Sequence, residues 1–196
     1  MSPPAKSPPT LPYAAVAVVL ALLMFGIAAF VWFGTTARAN IGGPFTLQNG
    51  DGQTVTNKTF QGKYMLVYFG YTYCPDVCPT TLQGIANAMD KLGQKAEKIV
   101  PIFITVDPWR DKPAVVKRYA AAFSPRVVGL TGTPQETARV EKEYHVYAEK
   151  RETGNGEYSM DHSSVIYLMG PDGRFVAPVP EGSPESMAAE IGKLVQ

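Results

Sequence analysis

The sequence predicts an α/β domain built on one mixed sheet flanked by helices and preceded by a single N-terminal transmembrane helix. Three observations carry that expectation. The stretch from Tyr13 to Phe33 holds no charged residue. Two continuous apolar runs, Tyr64–Phe69 and Ile99–Val106, suit strands buried on both faces. Each run is followed by a segment whose apolar residues recur at helical spacing, as expected of helices that cover a sheet.

The N-terminus divides into two pieces. Residues 1–12, rich in Pro and Ser, read as a disordered cytoplasmic lead. Residues 13–34 read as the anchor, because about 20 apolar residues in helix cover a bilayer's hydrocarbon core of about 30 Å. Tyr13 and Trp32 stand where interfacial aromatic belts form. Ala37-Arg38-Ala39 resembles a signal-peptide cleavage site, but the apolar region of such a peptide spans only about 7–15 residues. The uncleaved anchor is therefore the stronger reading. Lys6 and the N-terminal amine against Arg38 favour a cytoplasmic N-terminus by a small margin. The lead lacks the Arg-rich pattern of a mitochondrial transit peptide, which points to a bacterial inner membrane with the C-terminal domain in the periplasm.

Residues 35–44 form a linker ending in Gly42-Gly43-Pro44, and one domain occupies 45–196. Phe45–Gln48 and Gln53–Thr56 flank Asn49-Gly-Asp-Gly52 as a small hairpin. The Tyr64–Phe69 strand leads to a helix from Pro79 to about Leu92, with Leu82, Ile85, Ala86 and Met89 on one face. The Ile99–Val106 strand leads to a helix over Asp111–Phe123, for which Asp111 is a plausible cap. Val127–Leu130 is a short strand, and Thr133-Pro134 opens a helix reaching about Tyr144. His145–Lys150 and Ser164–Met169 read as strands joined by a polar loop, Arg151–Asp161. The turn at Gly170–Gly173, a strand at Arg174–Ala177 and a helix at Ser183–Leu194 complete the chain. A thioredoxin-like topology fits this order, with the cysteines after the first buried strand at the start of a helix.

Composition narrows the function. With Lys6 set aside, the remaining basic residues equal the 17 acidic ones, so the domain lacks the basic excess of a nucleic-acid binder. The only cysteines, Cys74 and Cys78, are too close in sequence to staple distant parts of a fold, and a small closed loop removes little unfolded-state entropy. Chemistry explains the pair better than architecture. Residues four apart on a helix share a face, with Cα atoms roughly 6 Å apart, which suits a disulfide or two sulfurs turned to one metal. A helix N-terminus lowers a thiol's pKa and favours thiolate, the form that attacks and that ligates.

The spacing differs from the two-residue gap of a thioredoxin redox motif, and two ligands fall short of a closed zinc site. A pair of sulfurs with one more soft or borderline ligand is a set that copper accepts, Cu(I) especially. His145, in Tyr144-His-Val-Tyr147, reads as a packing or surface residue. His162, in Ser159-Met-Asp-His-Ser-Ser164, precedes a buried strand, and in a thioredoxin-like sheet that loop comes beside the cysteine helix. Asp76 and Asp161 stand near these residues, placed to orient His162, to act as weak outer partners, or to serve as cap and loop groups, and Asp107 stands where it can act as an outer partner. Met160 reads as packing or exposed, and Tyr71 and Tyr73 as shields of the site.

Cys74-Pro-Asp-Val-Cys78-Pro79, Val106-Asp-Pro-Trp-Arg-Asp111 and Asp161-His-Ser-Ser164 followed by Tyr167-Leu-Met169 together resemble the Sco/SenC family. The resemblance runs from about Phe45 to the C-terminus, includes the anchor, and shows no departure at the motif positions. It implies a membrane-anchored, thioredoxin-like assembly factor for cytochrome c oxidase that binds copper, as Cu(I) or Cu(II), through Cys74, Cys78 and His162. The partner so implied is oxidase subunit II with its Cu_A centre, served by a periplasmic copper donor and a thiol reductant. A metallochaperone needs all three residues. A thiol–disulfide oxidoreductase that reduces the Cu_A cysteines needs only the redox pair Cys74 and Cys78. A peroxidase using Cys74 ranks below both, since the expected motifs around that cysteine are missing.

Overall fold

The structure, a computed structural model, describes the backbone of 13–34 and 41–196 and, within the first stretch, the side chains of 15–29. The lead, Ala37-Arg38-Ala39, most of the linker and the side chains of Tyr13 and Trp32 lie outside the described residues. The chain forms two compact units, Met1–Ala39 and Asn40–Gln196. The first contains helix α1, Tyr13–Gly34, of 22 residues, whose described apolar side chains are exposed except for the half-buried Ala29. Among the described residues no helix is long and apolar enough to cross a membrane, the described side chains of α1 being only those of 15–29.

The second unit is built on a seven-stranded sheet. Its strands are β1 (Thr46–Asn49), β2 (Thr54–Thr56), β3 (Tyr64–Gly70), β4 (Ile99–Thr105), β5 (Val128–Thr131), β8 (Ile166–Met169) and β9 (Phe175–Val179), in the order β2-β1-β5-β4-β3-β8-β9. The central strands β5, β4 and β3 are parallel, and the outer pairings are antiparallel. Parallel neighbours require crossovers, which α2 (Val77–Lys91) supplies between β3 and β4 and α3 (Pro113–Phe123) between β4 and β5. Helix α4 (Pro134–Glu143) starts at a capping box in which Thr133 and Glu136 satisfy each other's backbone N–H groups. Helix α5 (Pro184–Leu194) starts at Ser183 and packs on α2. This is the expected mixed α/β sheet.

The core follows the apolar runs. Leu66, Val67, Tyr68, Phe69, Phe103 and Ile104 are completely buried in the adjacent strands β3 and β4. Gly129 in β5 exists for close approach: a Cβ there would stand 2.6 Å from the Val116 carbonyl oxygen, so the α3 backbone rests directly on the strand.

Two expectations fail. The polar segment Arg151–Asp161 is not a loop. It belongs to a separate two-stranded ribbon of β6 (Ala148–Gly154) and β7 (Glu157–His162), turned at Asn155 and Gly156, both with positive φ. The charges of β6 hide it, because nearly every residue of that strand is exposed and no apolar alternation survives. Asp111 is not the cap of α3 either; Lys112 holds that position. The Asp111 side chain is wholly buried and accepts hydrogen bonds from the Thr72 N–H (2.9 Å), the Thr72 hydroxyl (2.5 Å) and the Thr105 hydroxyl (2.6 Å). Its carbonyl accepts from the Thr131 hydroxyl at 2.7 Å. One residue thus joins the ends of β4 and β5 to the chain leaving β3.

Burial pushes the Asp111 carboxyl above its ordinary range. A group so shifted holds its proton more tightly in the folded state. Its contribution to stability is therefore full below the unfolded value of about 3.9 and is lost as pH rises through the folded value. Asp111→Ala is expected to remove this slope from urea unfolding as pH rises above about 4, and to cost about 3 kcal/mol by stranding three donors. Gly129→Ala is expected to cost about 1–3 kcal/mol by forcing α3 off β5, read as a lower thermal midpoint.

Candidate metal centre

The Asp111 bonds to Thr72 fix the chain as it leaves β3, two residues before Cys74. The segment turns back on itself through the Cys74 N–H, which donates to the Tyr71 carbonyl at 3.2 Å. Cys74, half-buried, lies in the loop, and Cys78, fully buried, is the second residue of α2. The two sulfurs therefore do not meet on one helical face, as the spacing alone suggests. They meet because the loop folds over the helix start. Asp76 occupies the capping position but its side chain makes no capping bond. The Cys74 sulfur takes part of that role by accepting from the Cys78 N–H at 3.4 Å.

Gly70 makes room for this arrangement. A Cβ on Gly70 would stand 2.8 Å from the Cys78 sulfur and 3.1 Å from the Phe103 ring. The helix N-terminus favours thiolate, but for Cys78 burial outweighs it and pushes the thiol up to about 12.

His162 closes β7 and reaches the cysteines. Its Nε2 lies 3.4 Å from the Cys78 sulfur, and its Nδ1 lies 2.9 Å from the Ser163 carbonyl oxygen. A carbonyl only accepts, so Nδ1 carries the proton and Nε2 turns its lone pair toward the sulfurs. The Tyr71 ring stands edge-on to the imidazole, 5.7 Å between centroids, and helps hold its plane. The ligand atoms of Cys74, Cys78 and His162 all lie within 4.8 Å of one another. Two sulfurs and a neutral imidazole form a soft set suited to Cu(I). An open cleft of about 490 Å³ leads in past Tyr71, Cys74, Val77, Tyr147, Met160 and His162, with Cys78 behind it.

A short exposed ribbon is marginal alone, so something must hold β7 in place. Asp107, fully buried, accepts from the Arg110 Nε at 2.5 Å and from the Tyr158 hydroxyl at 2.9 Å. Arg110 in turn donates to the Tyr158 carbonyl at 3.0 Å and stacks on the Tyr158 ring, 3.6 Å from its centroid. This clasp fastens the ribbon to the turn after β4 and so sets where His162 sits. Sequence reading missed the roles of Arg110, Tyr158 and Ser163. A signal for Tyr158 was present: Tyr158, Met160 and His162 alternate along β7 on one face, while Asp161 pairs with Arg151 at 2.9 Å on the other. Asp161 therefore does not orient the imidazole; the Ser163 carbonyl does. Met160 is buried against the core, Tyr73 lies exposed with its ring 4.6 Å from Arg110, and His145 is exposed at positive φ.

The two thiols should react unequally. In the reduced protein at neutral pH, iodoacetamide is expected to alkylate Cys74 well before Cys78, because Cys78 is both enclosed and held protonated. Peptide mass spectrometry over a time course reads the order; equal rates would contradict the enclosed position of Cys78.

The comparisons agree with this architecture. A sequence profile described as SCO1/SenC matches residues 34–196. The chain is 41% identical to Protein SenC of Rhodobacter capsulatus over 158 residues, covering 80% of this chain and 72% of that protein. It is 45% identical to "Protein SCO1 homolog 1, mitochondrial" of Arabidopsis thaliana over 143 residues, or 72% of this chain, and spans only 43% of that longer relative. Among solved structures it is similar to Bradyrhizobium japonicum ScoI with copper bound, at 48% identity and a TM-score of 0.74, covering 79% of this chain and 99% of that one. The matched span and these identities show that the chain belongs to the SCO1/SenC family.

Proposed function

We propose that this protein is a copper metallochaperone that holds one copper ion through Cys74, Cys78 and His162. It would serve assembly of the Cu_A centre in subunit II of cytochrome c oxidase. The observation that carries the reading is the convergence of two sulfurs and the His162 ring nitrogen within 4.8 Å at the base of an open cleft. The copper bound in the Bradyrhizobium japonicum relative supports it. Three ligands leave a coordination position free for an incoming donor. A partner thiolate can then enter through the cleft, where Cys74 and His162 lie in front and Cys78 lies behind. Loading requires both cysteines reduced and their protons released, so a copper donor and a periplasmic thiol reductant act before transfer.

In this reading residues 1–12 are the cytoplasmic lead, 13–34 anchor the protein in a bacterial inner membrane, 35–44 are the linker, and 45–196 act in the periplasm. The uncharged 22-residue helix supports the anchor.

A second reading rests on the same sulfur pair. Cys74 thiolate attacks a disulfide of the partner, releasing one partner thiolate. Cys78, as thiolate, then displaces the second, leaving a Cys74–Cys78 disulfide and a reduced partner. The contact between the Cys74 sulfur and the Cys78 N–H shows that the pair is already close. This reaction gives His162 no obligatory part beyond tuning the pair.

Anaerobic loading of reduced Asn40–Gln196 with Cu(I), and separately with Cu(II), tests the two readings. The chaperone predicts one copper per chain and a sulfur-to-Cu(II) charge-transfer band, with affinity falling at least about 100-fold in Cys74→Ser, Cys78→Ser and His162→Ala. Wild-type affinity in His162→Ala would remove the three-ligand site and leave the reductase.

A further inference from the structure

The turn of the β6–β7 ribbon carries a reactive dipeptide that the metal centre does not use. Asn-Gly occurs twice in the sequence, at Asn49-Gly50 and at Asn155-Gly156. An asparagine amide before glycine is open to attack by the following backbone nitrogen, because glycine has no Cβ to hinder the approach. The two sites differ in how firmly that step is blocked. At the first, the Asn49 Oδ1 accepts from the Asp51 and Gln53 N–H groups, each at 3.0 Å, and its Nδ2 donates to the Gln53 Oε1 at 3.0 Å. Gly50 is crowded as well, since a Cβ there would stand 2.3 Å from the Lys117 Cβ. At the second, Asn155 and Gly156 are the central residues of a tight turn between the paired Gly154 and Glu157, with φ of 54° and 79°. Both are exposed, and nothing stands within 4 Å of where a Gly156 Cβ would be. The ribbon's side-chain bonds, Arg151 with Asp161 and Tyr158 with Asp107, leave the Asn155 amide without a partner among the described residues. The Gly156 N–H likewise makes no backbone hydrogen bond among them.

We infer that Asn155 is a site of spontaneous deamidation in the folded protein, and that the fold protects Asn49 from the same reaction. The Gly156 nitrogen gives up its proton and bonds to the Asn155 Cγ. The Cγ–Nδ2 bond breaks and ammonia leaves, closing a cyclic imide. Water then opens the ring. Cleavage between Cγ and the Gly156 nitrogen leaves aspartate in an ordinary chain; cleavage between the backbone carbonyl carbon and that nitrogen leaves isoaspartate, whose chain runs through the side chain. The two products affect the ribbon differently. Aspartate tolerates positive φ much as asparagine does, so it keeps the turn and adds a negative charge to a tip that already carries Glu152 and Glu157. Isoaspartate inserts another main-chain carbon into a two-residue turn and breaks the pairing of Gly154 with Glu157 that sets the register. A ribbon whose β6 strand is exposed along nearly its whole length has little to hold that register afterwards. Fraying starts at the turn, and the clasp at Tyr158 is the next point of attachment. The modification is a one-way change that loosens the strand carrying His162 from a position touching none of the three ligands.

The full chain, incubated at neutral pH both folded and in urea, is digested at intervals for peptide mass spectrometry. In the folded protein the acid form is expected at position 155 at least about tenfold faster than at position 49, a difference set by how rarely the Asn49 turn opens. In urea the two positions should convert at similar rates, since only the fold separates them. Methyl transfer to the aged protein by an isoaspartyl methyltransferase should label the peptide that contains position 155. Hydrogen exchange of the β6 and β7 amides should quicken in the isoaspartate fraction and keep the wild-type rate in Asn155→Asp. Equal survival of the two amides in the folded protein, or faster loss at position 49, would overturn the assignment. The same excess of conversion at position 155 in urea would place the difference in the sequence and overturn the protection of Asn49. An isoaspartate fraction whose ribbon exchanges like the fresh protein would overturn the loosening of β7.

Discussion

A buried residue that accepts three hydrogen bonds at its carboxyl and a fourth at its carbonyl, across three strand ends, is hard to move, and Asp111 is that fixed point. Its side chain holds Thr72 and Thr105, and its carbonyl holds Thr131. The segment carrying Cys74 departs from Thr72, and the turn carrying Asp107 and Arg110 departs from the end of β4. Both halves of the metal centre are thus referred to one residue that touches neither metal ligand. Removing water from a carboxylate is costly; three directed donors offset part of that cost, and burial still holds the carboxyl above its ordinary range. Cys74 can sit in a loop because the origin of that loop at Thr72 is fixed.

Each ligand is prepared differently. The backbone selects the form of His162, since the Ser163 carbonyl takes the Nδ1 proton and leaves Nε2 to the sulfurs. Packing selects the form of Cys78, whose enclosed thiol stays protonated until something displaces the proton. Cys74 is open to the cleft and accepts the Cys78 N–H. A cation arriving at this site meets an accessible sulfur and a ready nitrogen first. It completes the set only by displacing the proton of Cys78.

Much of this was legible before any coordinates. The apolar runs of β3 and β4 read as strands buried on both faces because burial on both sides leaves no polar alternation. Thr133-Pro134 announced the start of α4, since a proline in the first helical turn is a local device. Local signals misled where distant partners prevail. Asp111 before Pro113 resembles a cap, yet its partner Thr72 lies 39 residues away and takes the side chain inward. The ribbon of β6 and β7 escaped because β6 is exposed along nearly its whole length, while β7 is held by the Asp107 clasp and by Met160 buried against the core. The three chemical residues were legible as a set, but the turn that brings Cys74 over the start of α2, and the tautomer of His162, depend on tertiary neighbours.

The ligand set divides two against one. The sulfurs belong to the body of the domain, whereas the imidazole rides at the end of a thin ribbon fastened by Asp107, Arg110 and Tyr158. Withdrawing the imidazole therefore requires the release of a seam, not the unfolding of a sheet. The denticity of the site is governed by a fastening several residues from the ligand itself. A surface that pressed on Trp109 or Tyr73, both exposed beside Arg110, would act on that fastening without contacting the ion. The hold on an ion and the strength of the donors are in this way separate properties of the molecule, set by different residues.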